Sequence, residues 1–234
     1  MKKPLRLLPN IITSTNLFAG CLGIVWSFEG NLDLAVVMIW FCAVLDVLDG
    51  LLARAAGVTS DLGKQLDSLA DLVSFGLLPA AVIYSLWMQI HPSPWAVMSF
   101  LITVFAALRL ARFNLDPDQS NNFTGLPTPA NALLISSFPT IIDRNQDILR
   151  LGLENQAVWF LIVGLLSYLM VSNIRLIGFK FHNYRWNENK FRYVILLSGA
   201  LLIALFGTLG IPGIFLVYIG VSMVWQNGHN RQVG

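Results

Sequence analysis

The sequence predicts an all-α, polytopic integral membrane protein with about eight transmembrane helices and both termini on the cytoplasmic side, and three observations predict it. The 234 residues are 56% hydrophobic and only 12% charged, whereas a soluble domain carries about 25% charged residues. Apolar runs near the length a bilayer demands, about 20 residues for a helix, follow one another between polar or Pro/Gly breaks. When those runs are threaded back and forth, all 15 lysines and arginines except Arg144 and Arg150 fall on one side. The positive-inside rule makes that side the cytoplasm, in a cell (inner or plasma) membrane.

The first span runs from Asn10 to Phe28. It follows a basic segment, Met1 to Arg6, that reads as interfacial because the apolar run behind it lacks a small-residue cleavage pattern. The second runs from Leu32 to Ala55 and the third from Gly63 to Ile90, with Thr59, Ser60 and Asp61 as candidates to cap it. The fourth covers Pro94 to Asn114. The fifth is short, Pro129 to Ile142, and the prolines of FTGLPTPAN suit its start. The sixth runs from Ala157 to Gly178. The last two, Tyr193 to Leu209 and Ile211 to Trp225, are joined by a tight Gly210-Ile211-Pro212-Gly213 turn. The chain thus reads as a single membrane domain, 1–234, with catalytic helices over 10–142 and accessory helices over 157–225 that offer a packing or oligomer surface.

Other polar features are bland. Cys21 and Cys42 lie in apolar runs without metal or disulfide spacing and read as free buried thiols. His91, His182 and His229 read as solvated. The mixed basic and aromatic segment from Phe179 to Arg192 suits anchoring to anionic membrane lipid, not nucleic-acid binding.

One stretch does not belong in a membrane. From Asp46 to Asp71 the chain places four aspartates in the pattern D-x2-D-G-x2-A-R-x8-G-x3-D-x3-D. Each ionised carboxylate near a bilayer centre costs roughly 2.5–3.5 kcal/mol, so four unpaired ones cost on the order of 10 kcal/mol. On helices, Asp46 and Asp49 share one face, and so do Asp67 and Asp71. Facing each other, the two pairs make a carboxylate cage, with only Arg54 and Lys64 as cations in the flanking helices. Hard divalent cations with oxygen ligands, Mg²⁺ or Mn²⁺, are the natural remedy. Two such ions about 3.5–4 Å apart clamp a phosphoryl group, and a carboxylate at the edge takes a proton from an attacking hydroxyl. The residues alone therefore predict phosphoryl-type transfer at the cytoplasmic membrane surface. A cation channel or transporter fits less well, because these carboxylates gather at one face and no repeat is visible.

Arg109 and Arg112 lie at the same depth on the fourth span, either as snorkelling anchors or as an anion site facing the cage. Asn10, Thr13 and Asn16 on the first span can supply hydrogen bonds there, and capping or packing explains them equally well. Gly50 and Gly63 remove side chains where a ligand, metal or neighbouring backbone approaches, or simply where helices pack closely.

The spacing from Asp46 to Asp71 resembles the complete signature of the CDP-alcohol phosphotransferase family, every position matching. That resemblance implies transfer of the substituted phosphate of a CDP-linked lipid to an alcohol with release of CMP. It implies that Asp46, Asp49, Asp67 and Asp71 hold two divalent ions and that Asp71 is the base on the acceptor hydroxyl. It places Gly50, Arg54 and Ser60 near the CDP-lipid, gives Ala53 and Gly63 the role of close clearance, and sets Asn10 and Thr13 against the nucleotide. A homodimer is also implied. The flanks LDSLADLVSFGLLPA, LRLARFN and FTGLPTPA resemble the phosphatidylserine synthase branch, which implies CDP-diacylglycerol as donor and L-serine as acceptor. The same chemistry with glycerol 3-phosphate, inositol phosphate or an ether-lipid donor is the alternative. For L-serine, Asp71 supplies the base, Arg109 or Arg112 a cation for the carboxylate, and an Asp or Asn between Asp116 and Asn122 a partner for the ammonium. The acceptor choice falls to those arginines and the Ser74-Phe75 flank.

Overall fold

The computed structural model describes residues 8–56, 61–115, 122–144, 152–177 and 186–233. The Met1 to Arg6 segment, the Thr59 and Ser60 caps and the loop acids before Asn122 lie outside that description, as do residues 179–185 of the basic-aromatic segment; its second half is not a loop, because the helix expected from Tyr193 already begins at Trp186.

Ten α-helices of seven or more residues carry the fold among the described residues. Helix α1 (Leu8–Phe28) turns at Glu29-Gly30-Asn31 into α2 (Leu32–Ala56). Gly30 takes φ +82° there, a left-handed conformation that favours glycine. Helix α3 (Asp61–Asp71) runs through a π-helical stretch, Leu72–Leu77, into α4 (Leu78–Ile90). A 3₁₀ turn at Pro94–Phe100 leads into α5 (Leu101–Leu115). Then come α6 (Thr128–Ser136), α7 (Phe138–Arg144), α8 (Gln156–Val171), α9 (Trp186–Phe206) and α10 (Ile211–Val233). Five stretches among the described residues are long and apolar enough to cross a membrane: Leu8–Phe28, Leu32–Ala53, Asp61–Ile90, Pro94–Leu115 and Asn189–Gln226. The chain is thus an all-α membrane protein in its architecture.

Four further expectations need correction. The sixth helix stops at Val171 instead of running on to Gly178, because Arg175–Ile177 forms a strand, β2, paired antiparallel with β1 (Asn122–Thr124). The fifth helix is two helices, broken at Ser137, since Pro139 has no N–H to continue the ladder. The final turn is Gly207–Gly210, ahead of the expected position, with Gly207 at φ +59°. Cys21 is exposed, and only Cys42 is buried.

The core forms where α4 is wrapped by its neighbours. Trp87 stacks on Trp159 of α8 with ring centroids 5.5 Å apart. Glycines let α1 lie against the α3–α4 rod: a Cβ on Gly20 would sit 2.7 Å from the Ser74 hydroxyl, and one on Gly23 2.8 Å from Leu78. The β1–β2 ribbon is held by α10, whose Tyr218 hydroxyl donates to the Ile177 carbonyl at 3.1 Å while Ser222 Oγ accepts from the Ile177 N–H at 3.3 Å. The last helix therefore braces the loop region that precedes α6.

Candidate active site

Asp46 and Asp49 leave α2 one turn apart, and Asp67 and Asp71 leave α3 one turn apart, as the i,i+3 and i,i+4 spacings require. One oxygen each from Asp46, Asp49 and Asp67 lies within 4.8 Å of the other two. Oxygens around a single Mg²⁺, at about 2.1 Å from it, stand at most about 4.2 Å apart. At least two of the three oxygen pairs around one octahedral ion are neighbours about 3 Å apart, so the triad closes onto such an ion with O···O contractions of up to about 2 Å.

Asp71 stands beside this triad. The charges of Asp46, Asp67 and Asp49 all act on it, and that of Arg109 opposes them. Its Oδ1 is buried and has no hydrogen-bond partner among the described residues. Just after Asp71 the helix widens: the Leu78 N–H bonds the Val73 carbonyl, five residues back. Pro79 accounts for the widening, because it has no N–H and its ring excludes the carbonyl four residues earlier. Thr103 of α5 donates to the Gly76 carbonyl in that stretch at 3.2 Å. Single π turns of this kind are frequent at functional sites.

Two of the described cations near the cage are occupied elsewhere. Lys64 Nζ donates to the Asn114 carbonyl at 3.4 Å, at the end of α5, and Arg112 to the Val171 carbonyl at 3.5 Å, at the end of α8. Each thereby meets the negative end of a helix dipole. Arg109 is different. It is 8% exposed, its Nε lacks a partner among the described residues, and the charge that acts on it is that of Asp71, with the neutral Tyr218 phenol close by. So Arg109 and Arg112, expected on one face as anchors or an anion site, are separated: Arg109 feels the charge of Asp71 and Arg112 caps a helix. Four carboxylates, all oxygen ligands and one with an orphaned oxygen, set against a single guanidinium among the described residues, fit a divalent-cation centre.

Helix α1 supplies the third side. Thr13 is buried and its hydroxyl lies 2.9 Å from Asp49 Oδ2. It reaches the cluster by holding a carboxylate. Asn10 is half-buried and borders a shallow groove with Ile11, Ser14, Thr15 and Phe18. Ser74 is fully buried and its hydroxyl donates to the Asn16 carbonyl at 3.1 Å, so its donor is spent on helix packing. Gly50 and Ala53 are half-buried in the last turns of α2, and Gly63 in the first turn of α3. Ser60 and the Arg54 side chain lie outside the described residues.

Three features of the site stand outside the sequence pattern: the π turn, the close packing at Gly20, and Tyr218 beside Arg109. Gly76 and Pro79 signal the first, and the Gly20/Gly23 spacing the second. Nothing in the sequence places a residue from α10 near one from α5.

An all-α membrane bundle with a two-helix carboxylate cage defines the class: an integral membrane enzyme of phosphoryl-type transfer. Known proteins resolve the family. The sequence profile described as CDP-alcohol phosphatidyltransferase matches residues 6–151. A protein named CDP-diacylglycerol--serine O-phosphatidyltransferase from Helicobacter pylori (strain J99) is 33% identical over 218 residues, covering 92% of this chain and 90% of its own. One of the same name from Bacillus subtilis is 34% identical over 188 residues, covering 77% of this chain and 98% of its own. An archaetidylserine synthase from Methanothermobacter thermautotrophicus is 38% identical over 138 residues, covering 56% of this chain and 57% of its own. The chain belongs to the CDP-alcohol phosphatidyltransferase family.

Proposed function

We propose that this enzyme transfers the phosphatidyl group of CDP-diacylglycerol to L-serine, giving phosphatidylserine and CMP. The observation that carries the chemistry is the convergence of Asp46, Asp49 and Asp67 within 4.8 Å, beside an Asp71 whose free oxygen is buried near Arg109. The names of the Helicobacter pylori and Bacillus subtilis relatives support serine as the acceptor.

In this reading Asp46, Asp49, Asp67 and Asp71 hold two Mg²⁺ or Mn²⁺ ions, which when bound neutralise the diphosphate and stabilise the departing CMP. Asp71 accepts the proton of the serine hydroxyl. The serine oxygen then bonds to the phosphorus bearing the diacylglycerol, and the bond from that phosphorus to the CMP oxygen breaks. Arg109 receives the serine carboxylate as a buried cation. The signature positions Gly50, Ala53, Arg54, Ser60 and Gly63 border the CDP-lipid, with Asn10 and Thr13 toward the nucleotide. Ser74 and Arg112 act at a distance on the acceptor side, through packing and helix capping. The chain crosses the cell membrane eight times as a homodimer with both termini and the carboxylate cage at the cytoplasmic face, where serine and the cations arrive from water.

The test is CMP release by the purified protein with a panel of alcohols. Mn²⁺- or Mg²⁺-dependent release with L-serine is expected. Release with glycerol 3-phosphate or inositol phosphate and none with serine would refute the acceptor. A second reading keeps serine and replaces the donor with an archaeal CDP-lipid, favoured by the 38% identity to the archaetidylserine synthase. Competition between the two donors decides it.

A further inference from the structure

Asn16 is 0% exposed, and neither its Oδ1 nor its Nδ2 has a hydrogen-bond partner among the described residues. A buried carboxamide left wholly unpaired is rare and costly. Its backbone, in contrast, is used twice: the Asn16 carbonyl accepts from Ser74 Oγ at 3.1 Å and from Cys42 Sγ at 3.5 Å.

Those contacts fix its depth. Cys42 precedes Asp46 by one turn of α2, Ser74 follows Asp71 by about one turn, and the Cys42 thiol lies close enough to Asp71 for its charge to be felt. Thr13, one turn before Asn16 on the same buried stripe of α1, already holds Asp49. Asn16 therefore sits at the inner end of the carboxylate cage, where α1, α2 and α3 meet. The Oδ1 of Asp71 is the unpartnered buried acceptor of that same junction. An amide with two unused donors and a carboxylate with an unused acceptor are chemically matched.

We propose that Asn16 is a positioning residue for the cation centre. Its Nδ2 donates to the Asp71 carboxylate when cations draw the carboxylates together, and it goes unpaired when they are absent. Such outer partners of ligating carboxylates fix ligand orientation and typically change metal affinity by about 10–100-fold when removed. The proposal rests on the divalent-cation reading above.

The experiment uses the full-length protein in detergent, with Mn²⁺ alone as the probe. Free aquo-Mn²⁺ is followed by electron paramagnetic resonance for wild type, Asn16→Leu and Asn16→Ala, and thermal melts are recorded without metal. Both variants should bind Mn²⁺ about 10–100-fold more weakly. Asn16→Leu should melt without metal at or above the wild-type temperature, since an apolar side chain of similar size replaces an unsatisfied amide. A merely structural asparagine would give the reverse. Wild-type Mn²⁺ affinity in either folded variant, or a clearly lowered metal-free melting temperature for Asn16→Leu, overturns the proposal. Should Asn16→Leu fail to fold, the affinity of Asn16→Ala decides. Wild-type protein that binds no Mn²⁺ would instead remove the cation centre itself, a failure distinct from Mn²⁺ binding that is indifferent to Asn16.

Discussion

Thr13→Val isolates one bond. Thr13 Oγ1 has a single proton and two acceptors in reach, Asp49 Oδ2 at 2.9 Å and the Pro9 carbonyl at 3.0 Å. An ionised Asp49 has no donor of its own and is only 5% exposed, so the proton belongs on the carboxylate. A hydrogen bond to a charged group contributes about 1.5–3 kcal/mol. At about 1.4 kcal/mol per decade, its loss corresponds to roughly 10–150-fold in an equilibrium constant. Valine keeps the shape, so the loss should appear where Asp49 orientation is needed. Titration of the purified variant with Mn²⁺ should give a dissociation constant raised by about that factor, and the metal concentration for half-maximal CMP release should rise in parallel. Thr13→Ser, which keeps the hydroxyl, should stay close to wild type. If Thr13→Val binds Mn²⁺ as wild type does and only melts at a lower temperature, the bond ties α1 to α2 and has no part in the centre.

Asp71→Asn should retain CDP-diacylglycerol binding by equilibrium assay while transfer falls by about 10²–10⁴-fold, the range of a positioned base; substantial turnover would remove Asp71 from that role. Arg109→Met keeps length and removes the one guanidinium whose charge opposes the cage at Asp71. The KM for serine should rise about 10–150-fold, the equivalent of one charge-assisted bond, with the KM for CDP-diacylglycerol little changed; equal rises in both would make Arg109 a phosphate-binding or structural group. Gly125→Ala should lower the detergent melting temperature, because Gly125 holds φ +74° and a Cβ there would run into the Met170 carbonyl, at a cost of about 1–3 kcal/mol. An unchanged melt would show that the turn before α6 readily rearranges.

The long apolar spans and the carboxylate cage are legible in the sequence for the same reason: each depends on contacts within one helix or between neighbours. Apolar length marks the span, and the i,i+3 and i,i+4 spacings put Asp46 with Asp49 and Asp67 with Asp71 before any fold is known. What the sequence hides is set by partners far along the chain. The tail of the sixth span reads as apolar helix, yet Leu176 and Ile177 are claimed by a ribbon whose other strand lies some fifty residues earlier and whose brace is Tyr218. Arg109 and Arg112 share a helical face by spacing alone. They diverge because the Val171 carbonyl, at a helix end fixed by that same ribbon, stands within reach of only one. Ser74 beside the aspartates reads as part of an acceptor pocket, and its burial against Gly20 follows from how α1 crosses, which no local pattern specifies.

The disposition of two described cations bears on how the carboxylates stay unpaired. Lys64 lies three residues before Asp67 and Arg112 one turn beyond Arg109 on α5, and as flexible chains both would quench the carboxylates if they turned inward. Each is instead held at a helix C-terminus, where exposed carbonyls present partial negative charge. Among the described residues, that leaves Arg109 as the cation acting on Asp71. Under the proposed cation reading, divalent ions from solution would supply the missing positive charge beside the π turn that begins directly after Asp71. A lysine or arginine that reached the cage would compete with those ions for the same oxygens. Helix capping at Asn114 and Val171 therefore keeps Lys64 and Arg112 from pairing with the aspartates.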